Sequence, residues 1–149
     1  MDETIKQKKP IVRWVVGIDP DLTKSGYAIW DKEERVLKEF GSKDFWGLLE
    51  LLNEYKNELI IIEAGWLNKK VNWHLSELGT RSEKIAYRVG QNHTIGQLLV
   101  DYCKKNGISV ITKRPSMRKM KQEEFKKITG IKHTTNQDVR DAIMLVYGF

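Results

Sequence analysis

Residues 11–21 read IVRWVVGIDPD, and this stretch decides the fold. Val12, Trp14, Val15, Val16 and Ile18 make a β-branched and aromatic run, so residues 11–18 are expected to form a strand buried on both faces. Asp19-Pro20-Asp21 stops it with a turn. A carboxylate thus stands at the end of a central strand, where open α/β sheets gather their functional groups.

Working outward, residues 25–30 and 35–40 read as two further strands joined by the polar turn Asp31-Lys32-Glu33-Glu34. Residues 44–56 read as a helix, with Leu48, Leu51, Leu52 and Tyr55 at helical spacing and Ser42 or Asp44 as its cap. Residues 59–62 form a short apolar run into Glu63, a second strand-end carboxylate. Residues 64–80 are punctuated by Gly65, Asn68, Asn72 and Gly79 and read as a loop. A long helix is expected over 81–105, with Ile85, Val89, Leu98, Leu99, Tyr102 and Cys103 apolar and Gly107 as its stop. A fifth strand follows over 108–112, a basic helical segment over 116–129 and a last helix over 136–147. An early hairpin followed by alternating strands and helices predicts an α/β fold, a five-stranded mixed sheet flanked by helices. This is the element order of the RNase H-like fold.

The 149 residues suit a single domain over 11–149, preceded by a flexible basic arm over 1–10. One cysteine, Cys103, excludes an internal disulfide. No apolar stretch approaches the roughly 20 residues of a membrane span, and a cytoplasmic protein without membrane association is expected. The net charge of +6 makes nucleic acid a reasonable partner.

Against that basic background stand four acids. Glu63 abuts Ile60-Ile61-Ile62, where an unpaired buried carboxylate is costly. Asp138 and Asp141 are three residues apart on the last helix, so their side chains lie about 60° apart around its axis. Val139, Ala142, Ile143 and Val146 form the adjoining core stripe. Converging carboxylates repel unless divalent metal compensates them, and hard oxygen ligands select Mg²⁺, or Mn²⁺ in its place. Two ions about 4 Å apart activate a water and stabilise the leaving oxygen of a phosphodiester.

Gly17-Ile18-Asp19-Pro20 with Ser25-Gly26-Tyr27-Ala28 resembles the opening of the RuvC family of Holliday junction resolvases. Ile61-Ile62-Glu63 resembles its second acidic motif, and the stretch from Asn136 to Ala142 its C-terminal acidic helix. Gly90 and Gly96 resemble its glycine-containing long helix, where they would permit close approach in the core or across a dimer interface. The resemblance implies an endonuclease that resolves four-way DNA junctions by paired nicks as a homodimer. Carried over by position, it makes Asp19, Glu63, Asp138 and Asp141 the ligands of two Mg²⁺ ions. It makes Trp66 an aromatic that stacks on DNA bases. The basic run over 113–121 falls where the family places catalytic and phosphate-binding lysines; Lys119 and Lys121 are the catalytic candidates. Lys69, Lys70, Trp73, Lys113, Arg114 and Arg118 complete the expected DNA contacts. Asp21 stands where the family usually has glycine and is read as a turn residue. His74, His93 and His133 are read as non-ligands. The alternatives are another RNase H-like nuclease acting on flaps, single strands or RNA, and a non-catalytic junction-binding module.

Overall fold

The computed structural model describes residues 12–68, 79–116 and 118–149, with side chains in the long helix described from residue 83 onward. The expected arm over 1–10 lies outside them. Five strands form one sheet: β1 (Trp14–Asp19), β2 (Ser25–Asp31), β3 (Val36–Lys43), β4 (Leu59–Glu63) and β5 (Val110–Lys113). Their order is β3-β2-β1-β4-β5. β1–β2 and β2–β3 pair antiparallel, β1–β4 and β4–β5 parallel, which is the expected mixed sheet. The helices are α1 (Phe45–Glu54), α2 (Gly79–Lys105), α3 (Gln122–Thr129) and α4 (Gln137–Val146).

Strand periodicity sorts the core into two layers. Val16, Ile18, Ile60 and Ile62 face α1 and α2, where they meet Leu48, Leu52, Ile95 and Leu99. Val15 and Ile61 face the other way, with Ala28 and Trp30, onto Phe125 of α3 and onto Val139, Ala142, Ile143 and Val146 of α4. The stripe expected on the last helix is thus the buried one. On α2 the expectation is met by Leu99 and Cys103, both fully buried, and not by Leu98 (49% exposed) or Ile85 (39%).

Two sequence expectations are corrected. Residues 116 and 118–121 are not helical: α3 begins at Gln122, with Lys121 as an extended N-cap residue. Ahead of it, Lys119 reaches the acidic cluster while Met120 packs into the α4-side core. Sending neighbouring side chains to opposite sides requires extended chain, because on a helix they lie only about 100° apart. The expected loop over 64–80 holds a 3₁₀ turn, Gly65–Leu67, and gives way to α2 already at Gly79.

α4 packs closely on the sheet at two glycines. A Cβ on Gly17 would lie 2.6 Å from the Ala142 carbonyl and 2.8 Å from Val146 Cγ1. A Cβ on Gly26 would collide with the Asp138 carbonyl group. The two glycines leave no room for a side chain of their own between strand and helix, and this brings the start of α4 to the ends of β1 and β2. Asn136 caps the helix there, its Oδ1 accepting from Val139 N–H at 2.9 Å.

Candidate metal and nucleic-acid site

The pairing of β1 with β4 sets Ile18 opposite Ile62, so the next residues, Asp19 and Glu63, emerge side by side at the parallel strand ends. α4 brings Asp141 in from the other face. One carboxylate oxygen each from Asp19, Glu63 and Asp141 lie within 4.8 Å of one another, a spacing that can hold a metal ion. Asp138 is not within that close set, but it lines the same cavity of 460 Å³, together with Trp66, Val89, Asn92, His93 and Lys119.

Electrostatics state the need for a cation. Burial, then the charges of Glu63, Asp138 and Asp141, push the Asp19 carboxyl up to about 9. Burial also raises Glu63, against the opposing charge of Lys119. Asp138 is raised by burial and then by Asp21 and Asp141. Carboxylates so placed resist full ionisation without a compensating charge. Part of it comes from Lys119, whose Nζ donates to Glu63 Oε1 at 3.2 Å and to Asp141 Oδ2 at 2.6 Å. Burial lowers the pKa of this ammonium, but the hydrogen bond to Asp141 and the three surrounding acids outweigh it and hold it at about 12. All-oxygen donors of net negative charge fit Mg²⁺ or Mn²⁺ and fit no soft metal.

The basic segment divides by position. Lys119 is in the cluster, whereas Lys121 is exposed and borders neither cavity. Lys113, Arg114, Arg118 and Lys119 border an adjoining cavity of 210 Å³ that shares Glu63 and Asp141. Arg118 also pairs with Glu124 at 3.1 Å. Lys69, Lys70 and Trp73 lie outside the described residues, as does His74.

Trp66 joins the core and the cleft. Its half-buried ring packs against the α2-side core and rests over Gly96, whose Cβ it would exclude. Gly96 is therefore the α2 glycine used for close approach inside the chain; a Cβ on Gly90 would meet nothing within 4 Å. Asp21 is a turn residue, as read. Its Oδ1 accepts from Thr23 N–H at 2.8 Å and Lys24 N–H at 3.4 Å, and its Oδ2 from Asn92 at 3.3 Å.

Sequence reasoning passed over His93 as a cleft residue. Its Nε2 would stand 2.7 Å from a Cβ on Gly65, and burial lowers its pKa. The signal was the spacing of Val89, Asn92, His93 and Gly96, which is the i, i+3, i+4, i+7 pattern of one helix face.

No protein-family model and no curated protein matches this chain. Among solved structures it is similar to Thermus thermophilus RuvC in complex with a Holliday junction substrate. That match has 16% identity and a TM-score of 0.54, and covers 87% of each chain. A second Thermus thermophilus RuvC structure matches at 18% identity and a TM-score of 0.53, covering 87% of this chain and 89% of that one. The fold is thus that of RuvC, the RNase H-like arrangement expected from the order of strands and helices.

Proposed function

We propose that this protein is a metal-dependent endonuclease that resolves four-way DNA junctions by paired nicks. The observation that carries the reading is the convergence of Asp19, Glu63 and Asp141 within 4.8 Å, with Lys119 among them, in a chain of net charge +6. A basic protein holding an acidic, metal-competent cleft is suited to cutting a polyanion.

In this reading Asp19, Glu63 and Asp141 hold Mg²⁺, or Mn²⁺ in its place, and Asp138 completes the set on the same cavity wall. Two ions, when bound, supply an activated water and neutralise the leaving oxygen of the phosphodiester. Lys119 is already fixed among the acids and meets the scissile phosphate as a point charge. Lys113, Arg114 and Arg118 line the track of the backbone beyond it. Trp66 offers its cleft face to a base, while its other edge is anchored on Gly96. Lys69, Lys70 and Trp73, outside the described residues, are further proposed DNA contacts.

Paired nicks need two sites in fixed relation, which a two-fold homodimer supplies. Tyr87, Gly90, Thr94 and Leu98 share one face of α2. Tyr87 is 69% exposed and the space over Gly90 is open, so this outward face is the proposed dimer contact. Among the described residues, no helix is long and apolar enough to cross a membrane.

The test is Mg²⁺-dependent cleavage of a synthetic mobile four-way junction, run beside duplex and flap controls. Symmetric nicks in the junction alone are expected. Preference for the flap would move the reading to another RNase H-like nuclease. Junction binding without cutting at any Mg²⁺ or Mn²⁺ concentration would leave a binding module.

A further inference from the structure

Asp141 is held from two directions. On one side Lys119 donates to its Oδ2 at 2.6 Å. On the other, Gln137 Nε2 donates to its Oδ1 at 2.7 Å. Arg140 Nη2 donates in turn to Gln137 Oε1 at 3.0 Å. Arg140 Nη1 donates to Gln122 Oε1 at 2.7 Å and to the Thr135 carbonyl. Gln122 Oε1 also accepts from Thr135 N–H at 3.2 Å and from its hydroxyl at 3.3 Å. Gln122 opens α3 only three residues after Lys119. Lys119, Asp141, Gln137, Arg140 and Gln122 therefore close a ring through side chains and a short length of backbone. The amide of Gln137 can face only one way in it, because a carboxylate only accepts and a guanidinium only donates.

A Gln–Asp pair one turn apart on an exposed helix is ordinary and contributes little. Two observations set this pair apart. The Asp141 side chain is only 10% exposed. Among the described residues, Arg140 Nε and Gln122 Nε2 are buried without a hydrogen-bond partner. Each orphaned buried donor carries a desolvation cost, so the network is a poor way to add stability. Its geometry makes sense as a brace on a carboxylate that must stay in place among like charges.

We propose that Gln137 and Arg140 are positioning residues that fix the Asp141 carboxylate in the cleft, anchored through Gln122 and Thr135 to the α3 side of the molecule. The inference rests on the nuclease reading and deepens it. It locates the setting of the metal site in the α3–α4 region as well as in the strands.

Gln137→Met keeps the volume and removes both hydrogen bonds. Expected are a Mn²⁺ affinity, by calorimetry, and a kcat that each fall about 10- to 100-fold. The junction KM should stay near wild type, and any fall in Tm should be small beside the loss of Mn²⁺ affinity. Gln137→Glu keeps an acceptor for Arg140 but faces Asp141 with a second carboxylate, and should lower Mn²⁺ affinity further. Arg140→Met added to Gln137→Met should cost little more, since the two act in series. A Gln137→Met protein with wild-type Mn²⁺ affinity and kcat overturns the positioning role. So does a loss that Gln137→Met shares in proportion with a fall in Tm. A wild-type protein that binds no Mn²⁺ and cuts no DNA removes the nuclease reading itself, and the positioning role with it.

Discussion

The two faces of the sheet hold their helices by different means. On the α4 side, beside a side-chain core, Gly26 leaves backbone against backbone and Gly17 admits the Ala142 carbonyl and the Val146 side chain, so the helix that carries Asp138 and Asp141 rests directly on β1 and β2. On the α1 and α2 side the gap is filled by large side chains, among them Ile18, Ile62, Leu48 and Leu99. Among the described residues, glycine mediates close contact there at the cleft end, where Gly65 admits His93 and Gly96 admits Trp66. A side-chain layer can repack when one member changes, at modest cost. A backbone contact has nothing to repack. The acids are therefore placed by the rigid face, and the opposite wall of the cleft stands on the adaptable one.

Breaking the rigid face should have the largest effect. Gly26→Ala drives a methyl into the Asp138 carbonyl, and about 3 kcal/mol or more of stability should be lost in denaturant titration, with cleavage abolished. A variant that folds and cuts normally would show that α4 is free to lift. Asp141→Asn leaves the same contact intact and removes one charge. Cleavage should disappear, while gel-shift affinity for the junction holds or rises as repulsion of phosphate falls.

Asp19→Asn sharpens the comparison through pH. The folded carboxyl, raised to about 9 from an ordinary 3.8, binds its proton more tightly than the unfolded chain does. Metal-free stability contributed by this group is thus present below about pH 4 and is lost as pH rises towards 9. In thermal melts without metal, Asp19→Asn should flatten that decline and melt a few degrees higher at neutral pH. An unchanged pH profile would mean that the cluster is solvated.

Trp66→Ala tests the adaptable wall. It should cost both folding stability and about 1–3 kcal/mol of junction affinity, since one edge of the ring packs in the core and the other faces the cleft. Equal affinity with lower Tm would confine the ring to packing. Gly90→Ala, in open space on α2, should raise monomer stability by only about 0.5–1 kcal/mol. A loss of stability instead, seen only at concentrations where a dimer forms, would place Gly90 at the interface.

The sequence showed what periodicity and strand ends can show. The buried stripe of α4, the succession of strands and helices along the chain and the strand-end places of Asp19 and Glu63 follow from local pattern, because strand alternation and helix turns are local rules. Gly17 and Gly26 were visible as motif letters, but their task depends on a helix more than 110 residues away. The start of α3 was read too early, because a basic run such as 118–121 carries no apolar period and the pull on Lys119 comes from Glu63 and Asp141 across the fold. His93 and the Gln137–Arg140 brace escaped for the same reason, since their meaning lies in what tertiary contact sets beside them.

The central claim is that Asp19, Glu63 and Asp141 form a divalent-metal centre. Anomalous diffraction from a crystal grown with Mn²⁺ tests it most directly. The account predicts a Mn²⁺ peak among these three carboxylates, with Lys119 Nζ displaced from at least one of them. A protein that cuts DNA in the presence of Mn²⁺, yet shows no peak there or binds the ion elsewhere, would contradict it.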